Sequence, residues 1–298
     1  MTSSEPSRDE TRTFAALLER AEAVLERVEA LLPPQAPEVD WSAPAFTWRE
    51  GRLHPIHHVS PMALEDLLHQ ERPRDQLERN TRQFLQGLPA NNALLWGARG
   101  TGKSSLMRAL LTRYRDQGLR LVQVDARELV HLPRIVAPLR ERPERFIVFA
   151  DDLSFEADEP AYKTLKATLD GALEAPPENV LIYATSNRRH LMPERMADNL
   201  EARRVDDEIH PGEAVEEKVS LSERFGLWLS FHPFSQAQYL EVVAHWLDRL
   251  GGGPLDETCR TQALQYALLR GSRSGRVAWQ FARDWTGRQK TSQGTDRE

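Results

Sequence analysis

Eight residues, GARGTGKS at 97–104, constrain this chain more than any other stretch. They satisfy G-x-x-x-x-G-K-[ST] at every fixed position. The apolar run ALLW (93–96) before them reads as a short buried strand, and Leu106, Leu110 and Leu111 after them recur at helical spacing. A phosphate-binding loop needs this strand-before, helix-after context as well as the glycines. Gly97, Gly100 and Gly102 tolerate backbone angles that let main-chain N–H groups close around a phosphate chain, and the new helix adds its positive end there. Lys103 offers a mobile cation to the terminal phosphates and the Ser104 hydroxyl a ligand for Mg²⁺. With Ala98, Arg99, Thr101 and Ser105, residues 97–105 form the expected nucleotide cradle.

Further strands follow. LRLVQVD (119–125), FIVFADD (146–152), VLIYATSN (180–187) and GLWLSF (226–231) alternate with helical segments, one of them at 128–139. That alternation predicts a largely parallel sheet covered by helices on both faces. Ligands bind such sheets at the carboxyl ends of the strands. The loop at 97–104, the pair Asp151-Asp152 and the cluster Thr185-Ser186-Asn187 all fall there. Asp151 is expected to hold Mg²⁺ through water, and Asp152 to orient or deprotonate an attacking water.

After residue 232 the pattern is helical only. Ser235 and Gln238 make a capping box, and Tyr239, Leu240, Val243, Trp246, Leu247 and Leu250 form an apolar stripe ended by Gly251-Gly252-Gly253. Two more helices are expected at 258–269 and 275–285, with a frayed polar tail after Arg288. Upstream, Phe14, Leu17, Ala21, Val24, Val28 and Leu31 mark an amphipathic helix ended by Pro33-Pro34. Such a helix fits pairing with a partner helix and packing on its own domain equally well. Residues 35–53 read as an extended connector laying Trp41, Phe46 and Trp48 on a domain surface. A helix across 60–92 then delivers the chain to the first strand, with Leu77, Phe84 and Leu85 inward. His54, His57 and His58 read as solvated or packing residues, because no regular spacing or neighbouring carboxylate gathers them.

The 298 residues carry a formal net charge of −6, which argues against a protein built mainly to coat nucleic acid. Cys259 is the only cysteine, so no intrachain disulfide or cysteine metal cage can form. The polar start MTSSEPSRDE and the lack of a long apolar run point to a soluble, cytoplasmic protein.

The order of P-loop, FIVFADD, YATSN, SERFG and SGRVAWQF resembles the AAA+ ATPases, in detail the bacterial AAA+ branch catalogued as domain of unknown function 815. The likeness runs from about Ile56 to Trp285 and is closest in LPANNALLWGARGTGKSSL and EIHPGEAVEEKVSLSERFGLWLSFHPF. It implies an α/β P-loop fold of AAA+ type, a parallel sheet sandwiched by helices with a small C-terminal all-helical lid, to which the apolar spacing upstream adds an N-terminal helical extension. The expected divisions are 1–53, 54–232 and 233–298. It further implies that Asn187 is the polar sensor of the γ-phosphate, Arg224 the finger that reaches a neighbouring subunit's nucleotide, and Arg276 the lid arginine that contacts the γ-phosphate. The family usually has Glu where this chain has Asp152. That side chain is shorter by one methylene, roughly 1.5 Å, and misplacement on the order of 1 Å can cost about a hundredfold in rate.

The implied cofactors are ATP and Mg²⁺; no guanine-reading motif is apparent. The implied activity is ATP hydrolysis coupled to remodelling or loading a macromolecular partner, within a ring or open-ring homo-oligomer. The competing reading is a nucleotide-gated switch or scaffold with little turnover. A small-molecule phosphotransferase lacks an acceptor pocket. The charged stretch 188–224 reads either as a subunit or client interface or as a solvated insertion. The lid stretch 270–290 has six basic residues against Asp284, a candidate nucleic-acid face that lacks an aromatic ladder and is not favoured.

Overall fold

The computed structural model describes residues 17, 20–24, 38–155, 160–170, 177–187, 203–205, 208–210 and 221–295. The chain divides into two compact units, Met1–Asp40 and Trp41–Glu298. In the first, Leu17 and residues 20–24 are helical; Phe14, Val28 and Leu31 of the apolar seam lie outside the described residues.

The second unit is built on a seven-stranded sheet. Its strands are β1 (Ala45–Arg49), β2 (Arg52–Ile56), β3 (Ala93–Gly97), β4 (Leu119–Val124), β5 (Arg145–Ala150), β6 (Val180–Ser186) and, after a separate short ribbon, β9 (Leu227–Phe231). The ribbon pairs β7 (Arg203–Val205) with β8 (Glu208–His210), antiparallel, inside the charged stretch 188–224. The rest of 188–220 lies outside the described residues. The sheet order is β2-β1-β4-β5-β6-β3-β9, and every pairing is parallel except β1 with β2.

The hairpin β1–β2 corrects the reading of 35–53 as a connector. Arg49 pairs with Arg52 across Glu50 and Gly51, whose φ angles of 52° and 74° match the two-residue turn that favours hairpins. Phe46 and Trp48 are buried, and Trp41 packs 5.4 Å from Phe46 and 6.1 Å from Phe146. These aromatics extend the sheet core instead of lying on a surface. Pro55 is tolerated because β2 is an edge strand.

Helix α1 (Glu71–Leu85) and helix α2 (Lys103–Tyr114) cover one face, where Leu77, Phe84, Leu106 and Leu110 meet Leu95, Ile147, Phe149 and Leu229 in one core. The fully buried Tyr183 ties α1 to the sheet, its hydroxyl 2.9 Å from Asn80 Nδ2 and 3.1 Å from Thr81 Oγ1; burial pushes that phenol up to about 12. The helix expected at 60–92 is shorter than read, with only a 3₁₀ turn at Leu64–Asp66 ahead of α1. The helix expected at 128–139 is broken into 3₁₀ turns around α3 (Leu132–Val136). Pro133 and Pro138 withhold backbone donors there. Helix α4 (Pro160–Asp170) packs against this region.

The lid has its own core. Helix α5 (Gln236–Leu250) opens on the expected capping box: Gln238 N donates to Ser235 Oγ at 3.2 Å, and Ser235 N to Gln238 Oε1 at 2.9 Å. It ends at Gly251 with φ 70°. Helices α6 (Glu257–Leu269) and α7 (Gly275–Thr295) complete it around Tyr239, Leu247, Cys259, Phe281 and Trp285. The tail expected to fray after Arg288 is helical to Thr295, its Lys290 Nζ donating to Leu250 O at 3.1 Å.

Candidate functional site

Parallel register brings the three polar clusters to one edge. Strand β3 lies between β6 and β9, and Trp96 stands beside Ser186 while Gly97 stands beside Phe231. A side chain on Gly97 would collide with the Phe231 carbonyl oxygen, so the loop can leave the sheet here only as glycine. Helix α2 begins at Lys103. Its first turn leaves the N–H groups of Lys103, Ser104 and Ser105 without acceptors in the helix, pointing toward the mouth of the loop.

Lys103 is 6 % exposed. Its Nζ donates to Gly97 O at 2.7 Å, Ala98 O at 2.8 Å and Asn187 Oδ1 at 3.2 Å. Burial lowers its pKa from the ordinary lysine range, while the Asp151 and Asp152 carboxylates pull the other way. Thr101 Oγ1 braces the loop through Ala98 O at 2.8 Å. Ser104 Oγ donates to Asp151 Oδ1 at 2.6 Å, so the two expected metal-side groups meet directly.

Asp152 follows with φ 54°, a left-handed angle uncommon outside glycine. Its Oδ1 accepts from Asn187 Nδ2, and its Oδ2 lies 3.5 Å from Arg99 in an exposed ion pair. Thr185 was not assigned a role from sequence, yet it organises this corner. Its Oγ1 donates to Asp151 Oδ1 at 2.6 Å and accepts the Asp152 N–H at 2.9 Å. The readable signal was a threonine at the carboxyl end of the strand next to both β3 and β5.

The lid reaches the same loop. Arg276 N donates to Gly100 O at 3.3 Å, and its charge is among those felt at Lys103. Gly100 has φ 77°, and a Cβ there would stand 2.7 Å from Ser274 Oγ. A groove of about 760 Å³ opens between Ala98, Arg99 and Thr101 on one side and Phe234, Leu264 and Ser274 on the other. Arg224 is elsewhere. It follows a helical turn at 221–223 at the amino end of β9, whose opposite end meets Gly97. The strand alone separates them by roughly 13 Å. A larger groove, about 1030 Å³, lies near those amino ends by Ala90, Asn92 and Val180 and contains none of the expected site residues. Among the described residues, His54, His57 and His58 form no metal cluster.

Residues 41–289 match the family described as "Protein of unknown function (DUF815)". The chain belongs to the DUF815 family. Its α/β fold is similar to that of solved structures of low identity. The RuvB Holliday junction branch migration motor of Thermotoga maritima is 14% identical, with a TM-score of 0.48 over 75% of this chain and 63% of that one. An Ala-to-Ser mutant of the same RuvB reaches 0.50 at 14% identity, over 75% and 64%. The Orc1 protein of Aeropyrum pernix, in complex with DNA, is 19% identical with a TM-score of 0.49, over 73% and 61%. The DUF815 chain thus spans less than two thirds of the length of these proteins. Among curated proteins none matches the sequence.

Proposed function

We propose that this DUF815 protein binds ATP with Mg²⁺ at the carboxyl edge of its sheet and hydrolyses it to remodel or load a macromolecular partner. The observation carrying this reading is the meeting of Lys103, Ser104, Asp151, Asp152 and Asn187 within hydrogen-bonding reach. The donor set fits the ligand: orphan N–H groups at a helix start, a cation buried against carbonyls that a phosphate oxygen would replace, and a hydroxyl beside a carboxylate. When bound, Mg²⁺ would neutralise charge on the phosphates. Ser104 and Asp151 would hold it, with Thr185 fixing the carboxylate's rotamer. Lys103 would stabilise the terminal phosphates, Asn187 would sense the last one, and Asp152 would orient the attacking water.

The distance of Arg224 from its own loop supports action in trans, in a ring or open-ring homo-oligomer in which it completes a neighbour's site. Among the described residues no helix is long and apolar enough to cross a membrane, and we read the setting as cytoplasmic. Nucleic acid is not the favoured client. Mixing Lys103→Ala with Arg224→Ala protein tests the arrangement: each alone is inactive, and the mixture recovers part of the ATPase rate. No recovery would contradict a shared site.

A slow nucleotide-gated switch is the second reading, favoured by the short Asp152 with both carboxylate oxygens engaged. Under it, wild-type turnover is negligible while ATP affinity is high.

A further inference from the structure

A second polar cluster lies apart from the phosphate edge, in the segment 63–70 ahead of α1. Leu67 is buried in the sheet core with Leu106 and Met107 of α2, and its Cδ2 stands 3.0 Å from where a Cβ on Gly102 would be. The next residue, Leu68, packs on the lid core. Two consecutive leucines therefore belong to two different cores, and the segment straps one to the other.

Polar contacts lock this crossing to α5. Asp66, its side chain only 5 % exposed, holds His245 Nε2 at 2.9 Å on Oδ1. Its Oδ2 accepts from Arg249 at 3.1 Å and from Ala63 N at 3.2 Å. His69 adopts φ 60° and sets its Nε2 2.9 Å from Glu241 Oε2. Glu241, His245 and Arg249 recur every four residues and share one face of α5, while Tyr239, Val243 and Leu247 present another to the lid core. A buried carboxylate is costly unless paired, and here every partner but its own Ala63 belongs to the lid.

We propose that Asp66 is a positioning residue for the nucleotide site: it latches the lid to the strap lying against the P-loop and so holds the Arg276 main chain at Gly100, which sets its guanidinium for the terminal phosphate. The proposal rests on the nucleotide reading above. The lid is then tied at two places, by α5 to the strap and by the start of α7 to the loop. A ligand that moves the loop biases the latch, and the latch biases the ligand equally.

The test measures affinity for a fluorescent ATP analogue in wild type, Asp66→Asn, Arg276→Ala and the double variant, together with hydrogen exchange without nucleotide. Asp66→Asn keeps the size of the side chain and weakens binding about five- to tenfold. In the Arg276→Ala background it adds little, because the latch acts through that arginine. Exchange across 63–70 and 236–250 quickens in Asp66→Asn. Unchanged affinity, multiplicative losses in the double variant or unchanged exchange would overturn the latch. Arg249→Gln, altering a half-exposed partner, shows the same pattern at smaller size and serves if Asp66→Asn does not fold. Wild type that fails to bind the analogue refutes the nucleotide reading alone; the exchange arm needs no nucleotide and still decides the latch.

Discussion

The phosphate edge and the lid junction are built in opposite ways. At the edge, eight consecutive residues fold back on themselves, Lys103 bonding to the carbonyls of Gly97 and Ala98. Their partners Asp151 and Asn187 are fixed by parallel strand register. At the junction, Asp66 meets His245 and Arg249 across 179 and 183 residues, beside the packing of Leu68 on the lid core. The edge is part of a packed sheet. The lid has a core of its own, and its hold on the loop rests on the contacts at its margin. Damage at the edge should therefore abolish binding or chemistry outright, and damage at the junction should grade them.

The sharpest way to break that contrast is Lys103→Ala. It should lower ATP affinity by at least about a hundredfold, read by calorimetric titration, while leaving the sheet folded by near-ultraviolet circular dichroism. A loss of only a few-fold would put the edge in the graded class.

Gly100→Ala strikes the point where the two regions touch. Its φ of 77° and the crowding by Ser274 should cost about 1–3 kcal/mol, seen in chemical denaturation, with a moderate loss of affinity. Wild-type stability would contradict both the left-handed angle at Gly100 and its contact with Ser274. A smaller effect is expected for Asp152→Glu, which restores the longer acid and should raise the ATPase rate a few-fold if reach limits turnover. A lower rate would mean that the aspartate is already placed for its task.

Least dramatic is the lid's own core. Burial pushes the Cys259 thiol up to about 11, so iodoacetamide at pH 8 should label it only when denaturant opens the lid; rapid native labelling would contradict a closed core. The folded thiol keeps its proton to about 11, whereas the unfolded one releases it near 9.0. Lid stability should therefore fall as pH rises through that window.

How much of this was legible in the sequence follows the same division. The P-loop, the five parallel strands from 93 to 231 and the capping box of α5 are local patterns, and each stands where its residues put it, within one or two positions. Asp151 and Asn187 were readable because strand ends in a parallel sheet converge. The hairpin at 45–56 was not: its strands are five residues long, one carries Pro55, and the turn signal Glu50-Gly51 is weak beside the aromatics that looked like surface anchors. Thr185 reads from sequence only as part of the polar cluster with Ser186 and Asn187, because a threonine at a strand end is ordinary until its neighbours are known. Asp66 could not be found at all, since nothing local in ALEDLLHQ says that this carboxylate will be buried against a helix near residue 245.

The most direct measurement is a calorimetric titration of the wild-type protein with ATP in the presence and absence of Mg²⁺. One saturable site per chain is expected, its affinity rising with Mg²⁺ and disappearing in Lys103→Ala. No saturable binding, or binding of equal strength in Lys103→Ala, would contradict it.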